Sequence, residues 1–128
     1  MSRIRLYYML EAALCGGPVT GAAIFSFPWL VLGPLLMFSQ SPVSAVSSFL
    51  WLAGSVCALG AFWNLVFTTV TGREHRFGVL FWLGVVGAVF ALSEVAMWSD
   101  GFAALVFFFA PVACAAHFTY LQRFKVRT

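Results

Sequence analysis

Four side chains able to hold a proton, a cation or a strong hydrogen bond stand inside long apolar stretches of this chain: Glu11, Asn64, Glu94 and His117. Two are carboxylic acids, one is an imidazole, and one is a carboxamide that needs partners for both a donor and an acceptor end. An ionisable group set in hydrocarbon is a functional candidate by default. Glu94 leads the set. It precedes Trp98 by four residues, which is about 6 Å along a helix, and would serve as a proton or cation site or as a hydrogen-bonded acid that fixes helix packing. Asn64 reads as a packing contact worth about 1 kcal/mol. Glu11 lies in the membrane if the first helix is one bent span, and among head-group water if that helix is interfacial. His117 lies within two turns of a basic tail. A haem or metal would need a second ligand at similar depth, and the other histidine, His75, falls in a loop, so no metal or other cofactor is expected. No serine–histidine–acid set, paired carboxylate site, glycine-rich phosphate loop or metal-ligand spacing is present, and no catalysis is expected.

The elements that position these residues follow from where charge is missing. Of 128 residues, 62% are hydrophobic and 9% charged, against about 25% charged in soluble domains. There is too little polar side chain to cover a water-facing surface, which excludes soluble domains, disordered chains, collagen-like repeats and nucleic-acid-binding modules. Residues 12–72 carry no Asp, Glu, Lys or Arg. A span needs about 20 apolar residues, so this stretch holds two helices and a turn at Ser39-Gln40-Ser41-Pro42. The uncharged gaps 77–93 and 101–122 hold one span each. The expectation is an all-α integral membrane protein, a single transmembrane domain over residues 1–128 folded as a four-transmembrane-helix bundle. Its spans are about 18–38, with an extension from residue 4, then 43–71, 77–98 and 102–121. Gly16-Gly17-Pro18 should either break the first helix or kink it, and the kinked form is favoured because the second span is also long.

All seven basic residues fall on one side of these spans: Arg3 and Arg5, then Arg73 and Arg76, then Arg123, Lys125 and Arg127. Short basic loops stay cytoplasmic, so both termini are expected in the cytoplasm, with Ser39–Pro42 and Ser99-Asp100-Gly101 outside. A multi-pass protein of the bacterial inner (plasma) membrane follows, with the bilayer as solvent and anionic lipid head groups against the basic residues. Tyr7, Tyr8, Trp98 and Tyr120 fall near the membrane edges. Met1 to Cys15 has the basic-then-apolar character of a signal peptide, but Glu11 interrupts it and no small-x-small cleavage site follows. Cys15, Cys57 and Cys114 all fall in spans, so no disulfide framework is expected.

Helices in lipid associate through small residues and a few polar contacts. Small-residue stripes run through Gly54, Cys57, Ala61, Asn64 and Thr68, and through Gly84, Gly87, Ala91, Glu94 and Trp98. A weaker one links Ala103, Val106, Ala110, Ala113 and His117, and Gly17-x-x-x-Gly21 marks the first helix. On this pattern Asn64, Glu94 and His117 lie on packing faces, away from lipid. The four-span plan with a glutamate in the first span resembles the small multidrug resistance exporters. The likeness stops at Glu11, since that family includes dual-topology members with little charge bias. With so little chain outside the membrane, the favoured function is lateral helix contact with another membrane protein, as an accessory or assembly subunit or an immunity-type protein. A homo-oligomeric transporter or channel using Glu94 and Asn64 in a polar path is the alternative, and a quinone- or lipid-binding subunit a further one. The orientation is tested by fusions: a green fluorescent reporter after Thr128 is expected to fluoresce and alkaline phosphatase inserted at Gln40 to be active, and the reverse pattern would overturn it.

Overall fold

The computed structural model describes residues 3–98 and 101–124, without the side chains of Met37, Glu94, Val95, Met97, Trp98, Ala103 and Ala104. Four helices account for nearly all of them: α1 (Arg3–Met37), α2 (Pro42–Thr71), α3 (Val79–Trp98) and α4 (Phe102–Phe124). No strand occurs among the described residues. Three segments are long and apolar enough to cross a membrane, Arg3–Leu36, Pro42–Thr71 and Leu105–Phe124, and α3 contributes the shorter apolar run Val79–Ser93. The turn Ser99-Asp100 and the tail residues Lys125 and Arg127 lie outside the described residues.

α1 is one uninterrupted helix, so the reading with a separate interfacial helix ending at Cys15 does not hold. Pro18, Pro28 and Pro34 all lie inside it. Each proline leaves the carbonyl four residues back without its usual donor, a cost that neighbouring side chains offset in membrane helices. Around Pro18 the helix is braced from both sides. The Thr20 hydroxyl donates to the Gly16 carbonyl at 2.7 Å, and the Trp63 indole N–H of α2 donates to that same hydroxyl at 2.9 Å. α2 starts at Pro42, whose missing N–H would be unsatisfied there in any residue, after an extended Ser41. It stops at Gly72, which takes φ +71°, the left-handed conformation that glycine adopts without strain. The amides of Gly72 and Arg73 close the last turn on the carbonyls of Thr69 and Thr68 at 3.3 and 2.9 Å.

α2 is the central element. It packs on α1, α3 and α4. α1 also meets α4, whereas α3 touches α4 only lightly and α1 not at all among the described residues. The α2–α3 seam is backbone on backbone. A Cβ placed on Gly87 would overlap the Gly54 carbonyl oxygen and lie 2.9 Å from the Gly54 Cα, and one on Gly84 would overlap the Ala61 methyl. Cys57 borders the same crossing, its carbonyl oxygen 3.2 Å from that Gly84 position, and Ala91 is half-buried one turn farther along. The α1–α2 contact is similar, since a Cβ on Gly16 would run into the Phe62 ring. The core gathers Ala12, Phe62, Leu65, Val66, Cys114 and Phe118 between α1, α2 and α4. Large apolar side chains point outward, with Phe25 86% and Trp29 77% exposed, as expected where hydrocarbon is the solvent.

Because the Gly87 position faces main chain that cannot rotate away, Gly87→Ala is expected to cost about 1–3 kcal/mol through overpacking and to lower the Tm of the purified protein by several degrees. Gly33→Ala, where a Cβ meets nothing within 4 Å, is the control and should leave Tm within a degree. Equal effects would show that the seam is not tight.

Candidate functional site

The polar side chains of the described residues concentrate at the end of the molecule that carries the arginines. There α1 and α4 run side by side, and Glu11 Oε1 lies 2.7 Å from His117 Nδ1. Glu11 is six residues past Arg5 and His117 six before Arg123, so each sits about 9 Å along its helix from a basic residue. That short contact couples the first helix to the last. The Glu11 side chain is 19% exposed and that of His117 41%. Glu11 Oε2 is fully enclosed with no hydrogen-bond partner among the described residues. Tyr8 closes one side, its ring edge-on to His117 at 6.5 Å and to Phe118 at 5.9 Å. Cys15 and Cys114 are free thiols packed together beneath it. Among the described residues, no group of three His, Cys, Asp or Glu side chains is placed to hold a metal ion.

A second polar cluster locks the α2–α3 loop onto α4. The Gln122 carboxamide donates to the Thr69 hydroxyl and to the Arg73 carbonyl, both at 3.2 Å, and accepts the His75 backbone N–H at 3.3 Å. The His75 ring is buried between Phe77 and Phe81, and its Nδ1 lies 3.0 Å from the Thr68 hydroxyl. That hydroxyl also lies within hydrogen-bond reach of the carbonyls of Asn64 and Leu65, and the buried Nε2 of His75 has no hydrogen-bond partner among the described residues. Burial holds the His75 imidazole below its ordinary pKa. The Arg123 guanidinium covers the Phe77 ring at 5.4 Å, and the Arg5 guanidinium lies beside Gly72.

The structure thus joins Glu11 to His117 and leaves Asn64 apart from them. Asn64 is exposed on the surface of α2 rather than on the packing face expected for it. The buried positions of α2 there are Ala61, Phe62, Leu65 and Val66, so the seam passes from Ala61 to Leu65, and Asn64 is turned about 100° from Leu65. α4 departs from its expected stripe in the same way. Val106, Ala113 and His117 are exposed and Ala110 half-buried, while Cys114, Phe118 and Gln122 face inward, because the large Phe118 ring rather than the alanines fills the space between helices. The Glu94 side chain lies outside the described residues. Sequence reasoning passed over Gln122 and Thr69, and gave His75 only a place in a loop and Tyr8 only a place at the membrane edge. A signal for Gln122 existed, as a carboxamide five residues after His117 and directly before the basic tail.

The sign of the His75 pH effect follows from its lowered value. The folded loop prefers the neutral ring, so its stability is complete above histidine's ordinary 6.5 and declines as pH falls below it. Amide exchange of residues 73–78 is expected to be flat from pH 8 to 7 and then to show up to about tenfold more opening per pH unit below 6.5, after correction for intrinsic exchange. His75→Phe should remove that dependence, and persistence in the variant would assign the effect to another group. Comparison of the chain with protein-family models, with curated proteins and with solved structures finds no match in any of the three.

Proposed function

We propose that this protein is a four-span bundle of the bacterial inner membrane, with both termini in the cytoplasm, that works by lateral helix contact with another membrane protein as an accessory, assembly or immunity-type subunit. The observation that carries the reading is the free face of α1. Gly17 and Gly21 stand one turn apart with no atom within 4 Å of where a Cβ would be, and Ala13, one turn earlier, is exposed. Small residues four apart let helix backbones approach closely in lipid. The glycines of α2 and α3 at positions 54, 84 and 87 are already used within the chain, whereas the Gly17–Gly21 pair of α1 is open.

Two further features support the same reading. The connections are short, with residues 38–41 joining α1 to α2 and 72–78 joining α2 to α3, which leaves little chain outside the helices for recognition. The closeness of Arg5 to Gly72 and of Arg123 to Phe77 fits one cytoplasmic face for all the basic segments.

Mild solubilisation and affinity purification from native membranes is expected to bring down a stoichiometric membrane partner. Gly17→Leu combined with Gly21→Leu should reduce its recovery at least tenfold while leaving the Tm of the isolated chain unchanged. A homogeneous wild-type preparation that carries a solute across liposomes with no partner would overturn the proposal.

A further inference from the structure

The loop between α2 and α3 brings uncompensated positive charge to the edge of an apolar groove. Arg73, Arg76 and Arg123 are exposed, and the one ion pair among the described residues joins Glu11 to His117, so no described carboxylate pairs with these guanidiniums. The groove, about 490 Å³ in volume, runs along the start of α3 and is lined by Phe77, Gly78, Val79, Trp82, Leu83 and Val86. From Val79 to Val86 it follows about 10 Å of helix. Phe77 belongs to both features. Its ring meets those of His75 and Phe81 edge-on at 5.0 and 4.9 Å, which fixes it at the loop end of the groove, and the Arg123 guanidinium lies over it at 5.4 Å. Arg76 precedes it in a tight turn, where the Arg76 carbonyl accepts the Gly78 N–H at 2.8 Å.

We propose that this is a binding site for an anionic phospholipid, whose phosphate is held by the guanidiniums of Arg123 and Arg76 while one acyl chain lies along Val79, Trp82 and Val86. The occupant follows from the two chemistries side by side. A guanidinium matches a phosphate with two parallel N–H···O bonds, and stacking on Phe77 leaves its charge uncancelled, since a ring contributes a quadrupole and not a counter-ion. The groove itself offers almost nothing polar. A peptide laid in it would leave backbone N–H and C=O groups unpaired, whereas an acyl chain has none to pair. A net negative head group fits better than a zwitterionic one, because a choline would return positive charge to the arginines. The site uses neither α1 nor a partner protein, so it is read on the isolated chain, and its failure leaves the proposed contact through α1 standing.

The test is native mass spectrometry of the full chain in dodecyl maltoside, titrated with phosphatidylglycerol or with phosphatidylcholine of the same acyl chains. Wild type is expected to hold one phosphatidylglycerol at least tenfold more tightly than phosphatidylcholine. Arg123→Gln should weaken that binding at least fivefold, whereas Arg3→Gln, which removes the same charge at the start of α1, should leave it unchanged. Gly78→Leu, at a position where a Cβ meets nothing within 4 Å, should fill the groove and weaken binding at least fivefold with every charge intact. If Arg123→Gln lowers Tm, the Gly78→Leu result decides. Equal binding of the two lipids, a loss in Arg3→Gln as large as in Arg123→Gln, wild-type binding by Gly78→Leu, or displacement of the lipid by equimolar glycerol 3-phosphate, which has the phosphate and no acyl chain, would overturn the proposal.

Discussion

Helices that sit in hydrocarbon gain nothing by hiding leucines from it, so this molecule is held where main chains or polar groups touch. The contact on which the others depend is Gly54 against Gly87. It lets α2 and α3 approach until backbone meets backbone, a separation at which dispersion and Cα–H···O contacts become significant. With α3 fixed there, α2 still has two sides free, for α1 and α4, and becomes the common neighbour of all the other helices. α1 and α3, which never meet among the described residues, are related only through it.

The remaining attachments are polar and unevenly distributed. Trp63 to Thr20, Glu11 to His117 and Gln122 to the Arg73 carbonyl all lie in the half of the molecule nearer the arginines. Toward the other end, contact is made by apolar or small groups, such as the buried Pro34 and Ala45. One end is therefore closed by directional bonds and the other by shape. The Gln122 carboxamide illustrates the efficiency of the closed end: its three hydrogen bonds join α4, the end of α2 and the connecting loop, and leave His75 buried beneath aromatic rings.

Much of the architecture was legible from charge alone, because a helix that avoids water announces itself by the distance between charged residues, and most of each helix falls in an uncharged gap, with α1, α3 and α4 running past its edge to take in Arg3, Arg5, Glu11, Glu94 and Arg123. The start at Pro42 and the stop at Gly72 carry their own local chemistry. What the sequence hid is rotational. A stripe read at three- and four-residue steps loses track of which of two neighbouring residues continues it, and after Ala61 the alternatives Asn64 and Leu65 differ by one position but by about 100° of helix surface. Glycines at the Gly16-Gly17-Pro18 step look like a break, yet they serve as space, since the Phe62 ring occupies the room left by the missing Gly16 side chain. The pairing of Glu11 with His117 was hidden for another reason: it joins residues 106 apart, and only the matching depth of each below a basic cluster linked them.

That separation has a consequence for how the protein is made. Glu11 is made with the first helix, whereas His117 belongs to the last, so throughout synthesis the acid is without this partner. The carboxyl is matched when the fourth helix has been inserted and has come alongside α1. A chain truncated before α4 leaves the Glu11 carboxyl without the imidazole that it meets in the finished fold. The finished molecule conceals it. The bond between first and last helix is in this sense a seal of completion, made in the whole bundle and missing from any part of it that lacks either helix.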